Sequence, residues 1–203
     1  MQAGRYSSRM PSSPDLQLLD AARRAFAAHG YTGATIERIA AEAGLSRVTL
    51  HRRGVTKDGL LAELVAHATE DYRRAMWPAL TAEGTGAARL AQALTALCAA
   101  AEENMALLVA VRAQSDGIFH RDEEEALTRT VFTEPLEKIL RDGLADGSLR
   151  DVEPLETATV LFNMVGWTYI HLRSGHGWTP RRARDATLDP LLHGLLATPP
   201  DSG

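Results

Sequence analysis

Residues 35–57 read TIERIAAEAGLSRVTLHRRGVTK. Thr35 is a helix cap, and IERIAAEA behind it places apolar residues at helical spacing until Gly44 stops the run. Ser46 caps a second short helix, RVTLHRR. The apolar set is Ile36, Ile39, Ala40, Ala43, Leu45, Val48 and Leu50. Each type has a job. Ala40 is small enough for the second helix to cross close by, and Gly44 takes the left-handed backbone that turns a chain sharply. Leu45 plugs the angle between the helices, and Ser46 satisfies free N–H groups of the next one. Arg47, Thr49, His51, Arg52 and Arg53 are left to point outward. The pattern is a helix-turn-helix whose second helix has the polar, basic face that a major-groove reader needs.

Charge agrees with that reading only when taken by region. The 203-residue chain has a net charge of −4. Residues 1–57 hold nine basic against four acidic side chains, whereas the remainder holds thirteen against twenty-two. A basic head on an acidic body favours a polyanionic partner at one end. Composition, 45% hydrophobic and 24% charged, is that of a globular protein.

The rest of the chain reads as helix almost throughout. Residues 1–13 are polar, with Ser, Pro and Gly, and read as a disordered arm. LQLLDAARRAFAAHG places Leu16, Leu19, Ala22 and Phe26 at three-and-four spacing, with Gly30 as its stop. Thr56 caps a fourth helix expected to close near Pro78. The Ala/Leu-rich stretch after it is two helices or one kinked helix. Pro135 kinks its helix or starts the final stretch, Pro154 opens a long apolar helix, and Thr179-Pro180 opens the last, interrupted at Pro190. No strand-like alternation survives. The fold class is all-α, with about nine helices: a helix-turn-helix domain at 14–60, a larger helical domain at 61–197 and a tail at 198–203.

Residues 16–64 resemble the DNA-binding domain of the tetracycline-repressor (TetR) family of bacterial regulators. The likeness runs through LLDAARRAFAAHGYTGATIERIAAEAGLSRVTLHRR and on to TKDGLLAEL. It implies a homodimer that binds a palindromic operator in double-stranded DNA, and a C-terminal body that binds a small-molecule effector and then releases the DNA. Thr35 resembles the phosphate-contacting cap. Arg47 and Val48, with Thr49 beside them after the Ser46 cap, resemble the base-reading positions. His51, Arg52 and Arg53 fall where phosphates are gripped, and Lys57 adds charge at the start of the fourth helix. An arginine at 47 suits guanine O6 and N7.

The sequence departs from the family pattern at His51, where Tyr is common, at Gly54, where Phe is usual, and at Val55, where Pro is common. Loss of a buried Phe at 54 costs packing. Either Val55 turns into the space, or Phe26 and Tyr31 fill it, and the head is expected to be intact but less rigid. The alternative is a small-molecule-binding helical bundle with a degenerate helix-turn-helix.

In the body, residues 154–174 are apolar nearly all round and need cover on two sides. With the last helix they suit a four-helix interface across a two-fold axis, through Leu161, Val165, Thr168, Leu172, Leu188, Leu192 and Leu195. Met105, Leu108, Phe119, Phe162, Met164 and Trp167, with Asn163 to orient it, are the candidate lining for an uncharged, apolar ligand. Cys98 reads as a small buried hydrophobe. His171 and His176 lack the spacing of a helical metal pair. No phosphate loop, nucleophile elbow or carboxylate pair points to an enzyme, a metal or a cofactor. No apolar run is long enough to span a bilayer and no secretory signal opens the chain, so a cytoplasmic protein is expected.

Overall fold

The computed structural model describes residues 16–112 and 132–195, and all its regular elements are helices. The N-terminal arm, Phe119 and the tail lie outside the described residues. The helices are α1 (Leu16–Gly33), α2 (Ile36–Glu42), α3 (Arg47–Arg52), α4 (Lys57–Thr81), α5 (Gly86–Glu103), α6 (Met105–Arg112), α7 (Glu134–Ala145), α8 (Pro154–Ser174) and α9 (Pro180–Leu195). The chain forms two compact units that divide between Val65 and Ala66.

The first unit is a small core under three short elements. Leu18, Ala22, Phe26, Ile39, Ala40, Leu50, Leu60 and Leu64 are buried in it. Burying a side chain the size of Leu50 contributes roughly 1.5–3 kcal/mol. Gly30 breaks α1 with φ +64, and one more helical turn follows before Thr35. Leu45 and Ile36 are half-buried at the edge of this core.

The second unit packs α5 against α7, α8 and α9, and α8 against α6 and α7 as well. Its core includes Tyr72, Met76, Leu90, Leu94, Leu140, Val165 and Tyr169. The α5–α7 crossing is set by two glycines: a Cβ on Gly86 would stand 2.2 Å from the Gly143 Cα. At this crossing the start of α5 is capped from outside its own helix. Asp146 Oδ2 accepts from the Gly86 N–H at 2.6 Å, and Ser148 Oγ from the Ala87 N–H at 3.0 Å.

Prolines behave differently from expectation at two places. Helix α4 continues past Pro78 to Thr81, and α9 runs through Pro190 to Leu195. Proline removes one i to i−4 bond but its fixed φ is helical, so flanking bonds such as Ala82 N–H to Pro78 O, 2.9 Å, carry the turn. Pro135 starts α7, and the Ala/Leu-rich stretch is two helices separated at Asn104.

Candidate nucleic-acid interface

Helices α2 and α3 owe their boundaries to local chemistry. Thr35 Oγ1 accepts from the Arg38 N–H at 3.3 Å, and Ser46 Oγ from the Thr49 N–H at 3.1 Å. Both helices end on the same device, a left-handed glycine. At Gly44 (φ +67) the Gly44 and Leu45 N–H groups donate to Ala41 and Ala40 carbonyls. At Gly54 (φ +68) the Gly54 and Val55 N–H groups donate to His51 and Leu50 carbonyls, each at 3.0 Å. This is the Schellman pattern, with glycine just past the helix where an L side chain is strained.

That geometry corrects the expectation of a lost anchor at Gly54. The residue is exposed, and a Cβ added there meets nothing within 4 Å. A large side chain at 54 would face open space, so no packing gap is left. Val55 is half-buried, and Phe26 stacks on Tyr31 with ring centroids 5.7 Å apart.

Helix α3 buries only Leu50. Val48, which belongs to the apolar set by sequence, is 74% exposed and turns away from the core. Arg47, His51, Arg52 and Arg53 are exposed with it, and Thr49 is half-buried with its hydroxyl 2.9 Å from that of Ser46. The result is one outward face carrying a valine, an imidazole and three guanidinium groups. Such a face donates hydrogen bonds to phosphates and to guanine, and offers a methyl surface to thymine.

Two basic groups of the head are held by the protein itself. Arg47 Nε lies 3.1 Å from Glu37 Oε1, with both side chains at least half exposed. Lys57 is half-buried: its Nζ donates to the Tyr31 carbonyl at 3.0 Å and sits 4.0 Å from the Tyr31 ring centroid. The Tyr31 hydroxyl donates to Asp58. Burial, then the Asp58 carboxylate, pushes the Tyr31 phenol up to about 12. Sequence reading does not single out Glu37, nor Tyr31 as the partner of Lys57. An acidic residue in the first turn of α2, inside an otherwise basic head, was the available signal.

Met105, Leu108, Phe162 and Trp167 pack half-buried against the body core. Phe162 joins an aromatic cluster, 5.1 Å from Phe132 and 6.0 Å from Tyr72. Asn163 is exposed and donates to the Thr159 carbonyl, and Met164 is 47% exposed. Two clefts in the body are lined differently. One, of about 350 Å³, lies along α8 and α9 with Val152, Val160, Met164 and Leu191 in its walls. The other, of about 460 Å³, sets the charged and polar side chains of Thr95, Glu102, Tyr169, Arg181 and Arg184 around a mainly apolar lining that includes Cys98, Ala99 and Pro180.

The interface residues divide in the same way. Leu161, Val165 and Leu188 are buried within the chain's own core, so these three do not form an outer surface. Leu172 and Leu192 are half-buried, Thr168 is exposed, and Leu195 is the last described residue of α9. On α8 the exposed apolar residues are Val160 and Met164. His171 and His176, far from helical-pair spacing, nevertheless meet edge to face at 4.9 Å. No group of three or more His, Cys, Asp or Glu fit to hold a metal occurs among the described residues, and none of the described helices is long and apolar enough to cross a membrane.

With this geometry in place, the comparisons with known proteins are specific. Residues 18–64 match the family model described as bacterial regulatory proteins, tetR family. No curated protein matches the chain in sequence. The fold is similar to that of a tetR-family bacterial regulatory protein from Rhodococcus RHA1 (TM-score 0.74, 19% identity, 93% of this chain and 100% of that one). It is also similar to the ketosteroid transcriptional regulator KstR2 of Mycobacterium tuberculosis (0.71, 18%, 93% and 98%). A third is the tetR-family regulator PfmR of Thermus thermophilus (0.70, 23%, 90% and 96%). Residues 18–64 thus match the helix-turn-helix of the tetR family of bacterial regulatory proteins, and the fold of the chain is similar to that of solved tetR-family regulators.

Proposed function

We propose that the protein is a ligand-responsive repressor: a homodimer that holds an operator through α3 and releases it when a small, largely apolar molecule binds the C-terminal unit. The observation that carries the DNA half is the outward face of α3. Among the described residues, the core makes no use of the side chains of Val48, His51, Arg52 or Arg53, yet the helix is capped and terminated with care. In this reading Arg47, Val48 and Thr49 approach base edges. Thr35, His51, Arg52 and Arg53 meet phosphates, and Lys57 steadies the turn through Tyr31 while adding positive charge.

The effector half rests on the half-buried apolar and aromatic side chains of the body, and on the likeness in fold to a ketosteroid transcriptional regulator. The dimer rests on the apolar strip of Val160 and Met164 beside the α8–α9 cleft. A second copy covers that strip more economically than water does.

The test is binding to the DNA upstream of the protein's own gene, measured against a scrambled duplex over a salt series. Sequence-selective binding that weakens with salt, and is released by candidate apolar molecules, is the expected outcome. Equal affinity for both duplexes overturns the repressor reading.

A further inference from the structure

The first turn of α2 and the first turn of α3 place opposite charges together on the side of the head that α3 presents outward. Glu37 Oε1 stands 3.1 Å from Arg47 Nε, and the side chains are 50% and 71% exposed. A carboxylate beside a phosphate backbone is repelled, so its place next to the leading base-reading arginine calls for an account. Glu37 is not a loose surface acid. Its own backbone N–H and the Thr35 hydroxyl, ahead of Arg47, hold its carboxyl below the usual carboxylate value. Its carboxylate faces the Arg47 guanidinium.

An exposed ion pair is weak in water and readily exchanges partners. What it changes is which DNA the head prefers. Free Arg47 would bind any phosphate; Arg47 tied to Glu37 brings a nearly neutral pair to the groove and gains least from the backbone. A G·C pair has what the couple needs: guanine O6 and N7 accept from the guanidinium, and cytosine N4–H₂ donates to the carboxylate.

We propose that Glu37 is a specificity-determining residue: with Arg47 it forms one charge-neutral reading unit that selects a G·C pair in each half-site and suppresses non-specific binding. This deepens the repressor reading and rests on α3 entering the groove. Glu37 acts on bases directly through its carboxylate and indirectly by fixing the guanidinium.

The experiment selects binding sites from a random duplex library with the full-length wild type, Glu37→Gln and Glu37→Asp, then measures affinity for selected and scrambled duplexes over a salt series. Thermal melting verifies that the variants fold. For Glu37→Gln we expect preference at one G·C position per half-site to fall about tenfold. Binding to scrambled DNA should strengthen, and the salt slope should steepen by about one as Arg47 turns to a phosphate. Glu37→Asp, which keeps the charge, should retain the wild-type slope. A wild-type motif that Glu37→Gln leaves unchanged, with the same slope, overturns the pairing alone. A wild type that selects no motif overturns the repressor reading, and the pairing with it.

Discussion

In the N-terminal unit the bonds that shape the reading helix are local: Thr35 to Arg38, Ser46 to Thr49, and Val55 back to Leu50. In the C-terminal unit the least exposed ion pairs join distant segments. Arg89 Nη2 meets Asp142 Oδ2 at 2.8 Å across 53 residues, and Arg173 grips both oxygens of Glu102 at 2.6 and 2.7 Å across 71. Tyr169 adds a third bond to Glu102 at 2.9 Å. A head made of caps and glycine stops leaves Val48, His51, Arg52 and Arg53 outside its core, open to a partner. A body made of long-range crossings spends its polar groups on holding itself together.

Alanine at one glycine in each unit exposes the contrast most strongly. Gly86→Ala drives a Cβ into the backbone of Gly143, which no rotamer change relieves. A loss of about 3 kcal/mol in urea unfolding is expected. Next, Asp142→Asn leaves Arg89 without its carboxylate, in a place where the side chain is only 13% exposed and Nε has no hydrogen-bond partner among the described residues. About 2 kcal/mol is expected, less than a fully buried pair costs because Asp142 is one-third exposed. Gly54→Ala in the head meets no atom and suffers only from its positive φ, so about 1 kcal/mol is expected. If Gly54→Ala proves costlier than Gly86→Ala, the contrast between local and long-range construction fails.

Acid supplies the smallest and most graded effect. The Arg173 hydrogen bonds hold the Glu102 carboxyl below its usual value, and Lys138 followed by Arg89 does the same for Asp142. A carboxyl depressed in the folded state contributes stability that is complete above its unfolded value, about 4, and is lost as pH falls through the folded value. Unfolding free energy of the body should thus be level near neutrality and decline below about pH 4. Glu102→Gln should flatten part of that decline.

The same contrast explains what was legible from residues alone. Caps at Thr35, Ser46 and Thr56, the turn at Gly44 and the outward basic set are encoded within a few positions, and each stands where its spacing placed it. Gly54 misled because a family pattern suggested a buried side chain, whereas the backbone there needs left-handed glycine. In the body, α8 is apolar nearly all round, so periodicity gave no way to tell Val165, fully covered, from Met164, nearly half exposed. The Gly86–Gly143 crossing and the Glu102–Arg173 pair depend on segments that meet only in the folded chain. Glu37 stands between these cases: its position was visible, but its partner lies on another helix.

Val48 gives the most direct test of the central claim, that the outer face of α3 is the DNA-reading surface. At 74% exposure it supports no core, so Val48→Asp should melt with the wild type. A carboxylate there would meet the groove head on, and affinity for the upstream duplex should fall on the order of a hundredfold. A Val48→Asp variant that binds that duplex as tightly as the wild type would contradict the account.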